Sequence, residues 1–145
     1  MYKIEKEIQV RWSDIDPNFH VRHSVYYDWG AMFRIEFFVA HGLTLEIMHE
    51  HHIGPVLFRE EAIFKSEILL KDELKIDIQI TKAKRDFSRW SIRHVLSKND
   101  GVVAAIIHVD GAWINTVKRK LAEPNELFEK ALEKLPQSED FKWID

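Results

Sequence analysis

With 145 residues, 46% of them hydrophobic and 31% charged, and only 5 Gly and 4 Pro, the chain has the make-up of one folded domain, not of a linker, a collagen-like repeat or a disordered tail. Lys and Arg number 21 against 24 Asp and Glu, a net charge of −3 that is too mild to favour nucleic acid or an acidic membrane as partner. The absence of cysteine excludes a disulfide framework, a thiolate nucleophile and any Cys-ligated metal.

Residues 2–12 alternate apolar Tyr2, Ile4, Ile8, Val10 and Trp12 with charged or polar positions, the period of two of a half-buried strand. Pro17, within Ser13-Asp14-Ile15-Asp16-Pro17-Asn18, has no N–H for a sheet ladder, so the strand gives way to a turn. From Ser24 to about His41, Val25, Trp29, Met32, Phe33, Phe37 and Ala40 recur at helical spacing, with Ser24 the expected N-cap and Gly42 the expected stop. Tyr26, Tyr27, Ile35 and Phe38 occupy its other side, and a helix apolar on most faces is enclosed by other structure. A short second helix is expected over 43–49, ended by Gly54-Pro55.

Strands follow over 55–68, 73–83, 87–98 and 101–114, the last two joined by Asn99-Asp100-Gly101, a hairpin signal. Pro124 opens a terminal helix with an apolar stripe of Leu127, Ala131 and Leu135. Strand, long helix, successive strands and terminal helix, with no βαβ alternation and no dinucleotide glycine fingerprint, make an α+β domain over 1–145 with a helical tail from about 123. The longest charge-free stretches, 37–45 and 101–109, have nine residues each, short of the roughly 18 to 20 that a membrane span needs. With no secretory pattern at residues 1–10, the expected location is cytoplasmic.

The turn before the long helix gathers Asp14, Asp16, Asn18, His20 and His23. Unpaired backbone N–H groups and the helix dipole favour negative charge at a helix start. Such a place suits the oxyanion formed when an oxygen nucleophile attacks a thioester or ester, where one good donor is worth about 3 to 4 kcal/mol. The plainer reading has a carboxylate capping the turn and the histidines exposed.

The run from Asp14 to Tyr26, Asp-Ile-Asp-Pro-Asn-Phe-His-Val-Arg-His-Ser-Val-Tyr, resembles the signature of hotdog-fold acyl-CoA thioesterases of the 4-hydroxybenzoyl-CoA thioesterase type. The likeness is strongest over 8–38, and Gly54-Pro55-Val56-Leu57, Lys71-Asp72-Glu73-Leu74 and Ala112-Trp113-Ile114 extend it to about residue 120. It implies a five-stranded antiparallel sheet wrapped around the long helix, and a homodimer or homotetramer with active sites between subunits. The implied reaction is hydrolysis of an acyl-CoA or other acyl thioester, with no metal or redox cofactor and CoA present only as part of the substrate. By position, Asp16 matches the catalytic carboxylate, acting as general base on water or as nucleophile. His23 matches a residue that orients substrate or polarises the carbonyl, and Asn18 and His20 match a second branch with an Asp-x-Asn-x-His-Val turn. Phe19 stands where Gly is usual and is expected to narrow the turn or the pocket; Arg22 is expected to pair with an acid or a substrate anion.

Between Lys82 and Lys98 six basic residues accompany a single acid, Asp86, with Phe87 and Trp90 among them. The phosphates and adenine of CoA suit such a segment, so Arg85, Ser88 and Arg89, joined by Lys118 and Arg119, are the expected CoA contacts, the alternative being a solvated strand face. No nucleic-acid partner is expected. His49-Glu50-His51-His52 lacks the second His of the zinc motif, since Ile53 holds that place, and is expected to end a helix. Of the adjacent Glu60 and Glu61, one can face a partner's pocket. The alternative to a hydrolase is a non-catalytic acyl-thioester binding protein on the same fold.

Overall fold

The computed structural model describes residues 3–145; Tyr2, expected in the first strand, lies outside the described residues. The elements run β1 (Glu5–Gln9), a 3-10 turn (Trp12–Asp14), α1 (His23–Ala40), α2 (Leu45–His51), β2 (Ile53–Phe64), β3 (Glu73–Asp77), β4 (Gln79–Lys84), β5 (Arg89–Lys98), β6 (Val103–Asn115), β7 (Lys120–Leu121), α3 (Glu126–Glu133) and β8 (Gln137–Ile144).

Among the described residues the strands make one eight-stranded sheet. β2 pairs with β6, β6 with β5, and β5 with both β3 and β4, all antiparallel. β3 and β4 are halves of the single strand expected over 73–83: Leu74 to Ile76 pair with Lys98 to Leu96, and beyond Ile78 the ladder resumes with Gln79 opposite Arg93. β1 covers the outer edge of β3 and β8 lies parallel on that of β4. The five expected strands are therefore present, with β7 and β8 added. The tail expected to be helical from 123 has eight helical residues and then returns to the sheet as β8, whose Glu139, Asp140 and Lys142 obscure any alternation.

α1 packs across the inner face of this sheet. Its rings reach three strands: Tyr26 meets Phe64 of β2, Phe33 meets His94 of β5, and Phe38 meets Trp113 of β6. Trp90, Ile92 and Leu96 of β5 are buried, with half-buried or charged residues between them, so the period of two survives at the centre of the sheet. Phe128 of α3 packs edge-on to Trp113, and Asn125 caps α3 by accepting the N–H groups of Leu127 and Phe128. The side of α1 that carries Met32 and Val39 is exposed in the single chain.

Helix boundaries differ from expectation in one informative way. α1 begins at His23, with Arg22 and not Ser24 at the N-cap, and no side chain accepts a hydrogen bond there. Gly42 ends it with a φ of +90°, the left-handed conformation that glycine takes without strain. α2 starts later than expected because Thr44 Oγ1 accepts the Ile47 N–H.

Candidate active site

The loop that follows the 3-10 turn is closed by a single bridge between Ile15 and Val21. Within it the Asp16 N–H donates to the His20 carbonyl and the Phe19 N–H to the Asp16 carbonyl, both at 2.9 Å. Val21 N–H donates to the Ile68 carbonyl over 2.8 Å, which ties the loop to the segment after β2. Between the two segments lies a cleft of about 420 Å3, with Asp16, His20, His23 and Tyr26 on one side and Phe64 and Glu67 on the other.

The two aspartates of the turn take different parts. Asp14 is fully buried, accepting the Arg11 N–H on Oδ2 at 2.9 Å, with Arg11 Nη2 at 3.3 Å from Oδ1. It closes the 3-10 turn and does not reach the cleft. Asp16 accepts the Asn18 N–H on Oδ1 at 2.8 Å and keeps Oδ2 3.6 Å from His20 Nδ1, which also lies 3.3 Å from the Val21 carbonyl. Both aspartates thus cap turns, as in the plainer reading, and His23 is exposed; Asp16 differs from Asp14 in that it also lines the cleft.

Asn18 contributes its backbone N–H to this geometry and is exposed. His23 is the first residue of α1, and the uncapped first turn leaves its N–H groups unblocked by any side chain beside the cleft. Phe19 does not narrow the pocket: it points to solvent, 78% exposed, with a φ of 67° in place of the glycine usual at this turn. Among the described residues Arg22 pairs with no acid; its guanidinium donates to the Ser13 carbonyl.

Tyr26, expected in the core, is buried and also forms a wall of the cleft, edge-on to Phe64. Burial first, then the negative charges of Asp16 and Glu67, raise its hydroxyl above the ordinary tyrosine range, so the phenol keeps its proton. Glu67 was not legible as a site residue, because it follows β2 and reaches the cleft only through the Val21 to Ile68 bond.

The five residues expected to hold CoA are not gathered in one place. Arg85 stacks on Trp143 of β8, at 4.6 Å, whereas Arg89 stacks on Phe58 of β2, at 5.0 Å, toward the opposite edge of the sheet. Ser88 turns its N–H to Asp86, and Lys118 and Arg119 lie exposed in the turn between β6 and β7. His49 and His51 fill the last turn of α2, as expected of a helix end, and Glu60 lies beside Arg34 of α1. Among the described residues no group of three or more His, Cys, Asp or Glu is arranged to hold a metal ion, and no helix is long and apolar enough to cross a membrane.

An antiparallel sheet curled around one long helix, with a carboxylate loop at that helix's N-terminus, defines the hotdog class. The model of the Thioesterase-like superfamily matches residues 10–132, and the chain belongs to that family: it is a thioesterase. No curated protein sequence is significantly similar to it.

Solved structures share the fold. A hypothetical protein from Staphylococcus aureus in complex with CoA superposes with a TM-score of 0.84 at 22% identity, over 94% of this chain and 88% of that one. A 1,4-dihydroxy-2-naphthoyl-CoA thioesterase from Synechocystis gives 0.81 at 17%, over 92% and 98%. A thioesterase from Thermus thermophilus complexed with coenzyme A and Zn gives 0.72 at 24%, over 89% and 91%.

Proposed function

We propose that the chain hydrolyses acyl-CoA thioesters with Asp16 as its catalytic carboxylate, in sites completed by a second copy of itself. The observation that carries this reading is the union, in one cleft, of Asp16, the uncapped start of α1 at His23 and the ring wall of Tyr26 and Phe64. A thioester whose carbonyl oxygen meets the first-turn N–H groups presents its carbon to Asp16. The carboxylate then takes a proton from attacking water, or attacks directly to give an acyl-Asp16 anhydride that water afterwards hydrolyses, while those N–H groups hold the developing oxyanion. Collapse of the tetrahedral intermediate breaks the C–S bond, and the CoA thiolate leaves. Solved neighbours of the same fold that hold CoA support CoA as the thiol component.

A second copy is needed because the basic end lies far from Asp16 within one chain. Arg89 pairs with Ala112, Ala112 pairs with Val56, and Val56 is separated from Phe64 by about 25 Å of extended strand. Among the described residues β2 pairs only with β6, and along it Leu57, Phe58, Ile63 and Phe64 are exposed. Antiparallel pairing of β2 with its copy sets the Arg89 end of one chain beside the Asp16 cleft of the other. Arg89, Lys118 and Arg119 stay CoA contacts in this reading; Arg85, drawn to β8, does not.

The test is thiol release from short, long and aromatic acyl-CoAs by the wild type and by Asp16→Asn, which keeps the Asn18 contact and removes the charge. A loss of at least about a hundredfold, roughly 2.7 kcal/mol of barrier, is expected. Equal rates would transfer the role to His20 or His23. No thiol release together with a rise in melting temperature on adding acyl-CoA would leave a binding protein.

A further inference from the structure

The outer face of the sheet, turned away from α1, carries a second hollow of about 310 Å3, lined by Arg59 of β2, Lys82 of β4, Arg93 of β5, His108 of β6 and Lys142 of β8. Its register is unusual. Lys82 lies directly opposite Lys142, and Arg93 directly opposite His108. The two lysines so placed repel, and among the described residues no carboxylate forms an ion pair with Lys82 or Lys142.

Two carboxylates share the hollow, and both are engaged. Asp110 accepts the Ser91 hydroxyl at 2.7 Å and lies 3.5 Å from Arg59 Nη1, while Asp140 lies 3.6 Å from Arg93 Nη1. Arg93 Nη2 donates to Gln79 Oε1 at 2.9 Å, yet its Nε–H is sealed from solvent with no acceptor. Two opposed lysines without a carboxylate partner are a standing cost to the free protein. Costs of this kind collect where a ligand supplies the missing counter-charge.

We propose that this hollow binds an oligophosphate group, the phosphate oxygens bridging Lys82 and Lys142 and accepting from Arg93. A phosphate presents several acceptor oxygens at once and suits a mixture of ammonium and guanidinium donors. The hollow is separate from the Asp16 cleft, and the proposal stands whether or not Asp16 is catalytic, because binding is read without turnover.

The experiment compares wild type with the double variant Lys82→Ser/Lys142→Ser by thermal melting, in inorganic pyrophosphate and in sodium chloride of matched ionic strength. Without ligand, the variant is expected to melt at or above wild type, since a repulsion has been removed. Pyrophosphate is expected to raise the melting temperature of wild type beyond the salt control and to leave the variant unmoved. An equal rise in both proteins, a rise matched by sodium chloride, or a variant that melts well below wild type without ligand would overturn the proposal.

Further arms identify the source of the phosphate. A CoA-induced shift that disappears in the variant assigns the hollow to the nucleotide of CoA. A shift with free nucleoside diphosphate but not with CoA assigns it to a separate nucleotide, and lysine-dependent sedimentation with anionic phospholipid vesicles assigns it to a headgroup.

Discussion

Arg34 Nη1 donates to His94 Nε2 over 3.0 Å, joining the middle of α1 to the central strand β5, and His94 Nδ1 lies 2.8 Å from the Asp77 carbonyl at the end of β3. Arginine only donates, so the imidazole is neutral with its proton on Nδ1, where it donates to that carbonyl. Burial first, then the Arg34 charge, push His94 down to about 3. Arg34 is itself buried, with the Glu60 carboxylate 3.8 Å from Nη2.

Stability should therefore depend on pH with a definite sign. His94 titrates near 6.5 once unfolded and near 3 in the fold, so between those values the unfolded chain binds a proton that the folded chain does not. His94 contributes stability above about pH 6.5, lost by about 1.4 kcal/mol per unit as pH falls toward 3. Asp77, whose carboxyl burial raises, acts in the opposite sense at lower pH, so the His94 slope is read just below pH 6.5. Denaturant unfolding in that range should show the slope in wild type and a flatter one in His94→Gln, which keeps an acceptor for Arg34. An unchanged slope would remove His94 as its source.

Gly111 lies under the ring of Trp90. A methyl group there would come within 2.4 Å of Trp90 Cη2, and that ring is buried and cannot swing away. Gly111→Ala should cost about 3 kcal/mol. Adding Trp90→Phe should recover part of the loss, visible as a favourable coupling in a double-mutant cycle; simple additivity would mean that the backbone shifts to accommodate the methyl.

Phe19 holds a left-handed backbone, a conformation costing about 1 to 2 kcal/mol outside glycine, and its ring is solvent-exposed. Glycine would relieve that cost and give back roughly 0.5 to 1 kcal/mol in chain entropy. Phe19→Gly should leave stability equal or higher by about 0.5 kcal/mol, with thiol release retained. A marked loss of either in melting and rate assays would show that the ring has a partner in solution.

Sedimentation should find two chains per particle for wild type, and a single chain for Leu57→Lys/Ile63→Lys, which places charges along the free edge of β2. Thiol release should fall with the association. A variant that stays paired would locate the contact elsewhere.

The sheet was legible where one face is buried and the other wet: the alternation through β5 and the Asn99-Asp100-Gly101 hairpin, with Gly101 at a φ of +89°, are local properties. The interruption at Ile78 was not, because Ile76, Ile78 and Ile80 alternate without a break while Asp77 between them is also buried. β8 escaped notice since its place depends on the edge of β4, not on its own pattern. In the turn, Asp14 and Asp16 look alike until the Arg11 amide claims one of them. Arg34 and His94 stand sixty positions apart, and their one local trace is Gly30, four residues before Arg34 in a helix of bulky side chains.

The cleft owes its shape to chain segments far apart in sequence, held by the Val21 to Ile68 hydrogen bond and the Tyr26–Phe64 ring contact. Opening it does not require the sheet to unfold. The Val21 amide proton is thus a local gauge: its exchange with deuterated solvent, slowed when a ligand bridges the two segments, reports the closing of the site separately from the protection of β5 and β6.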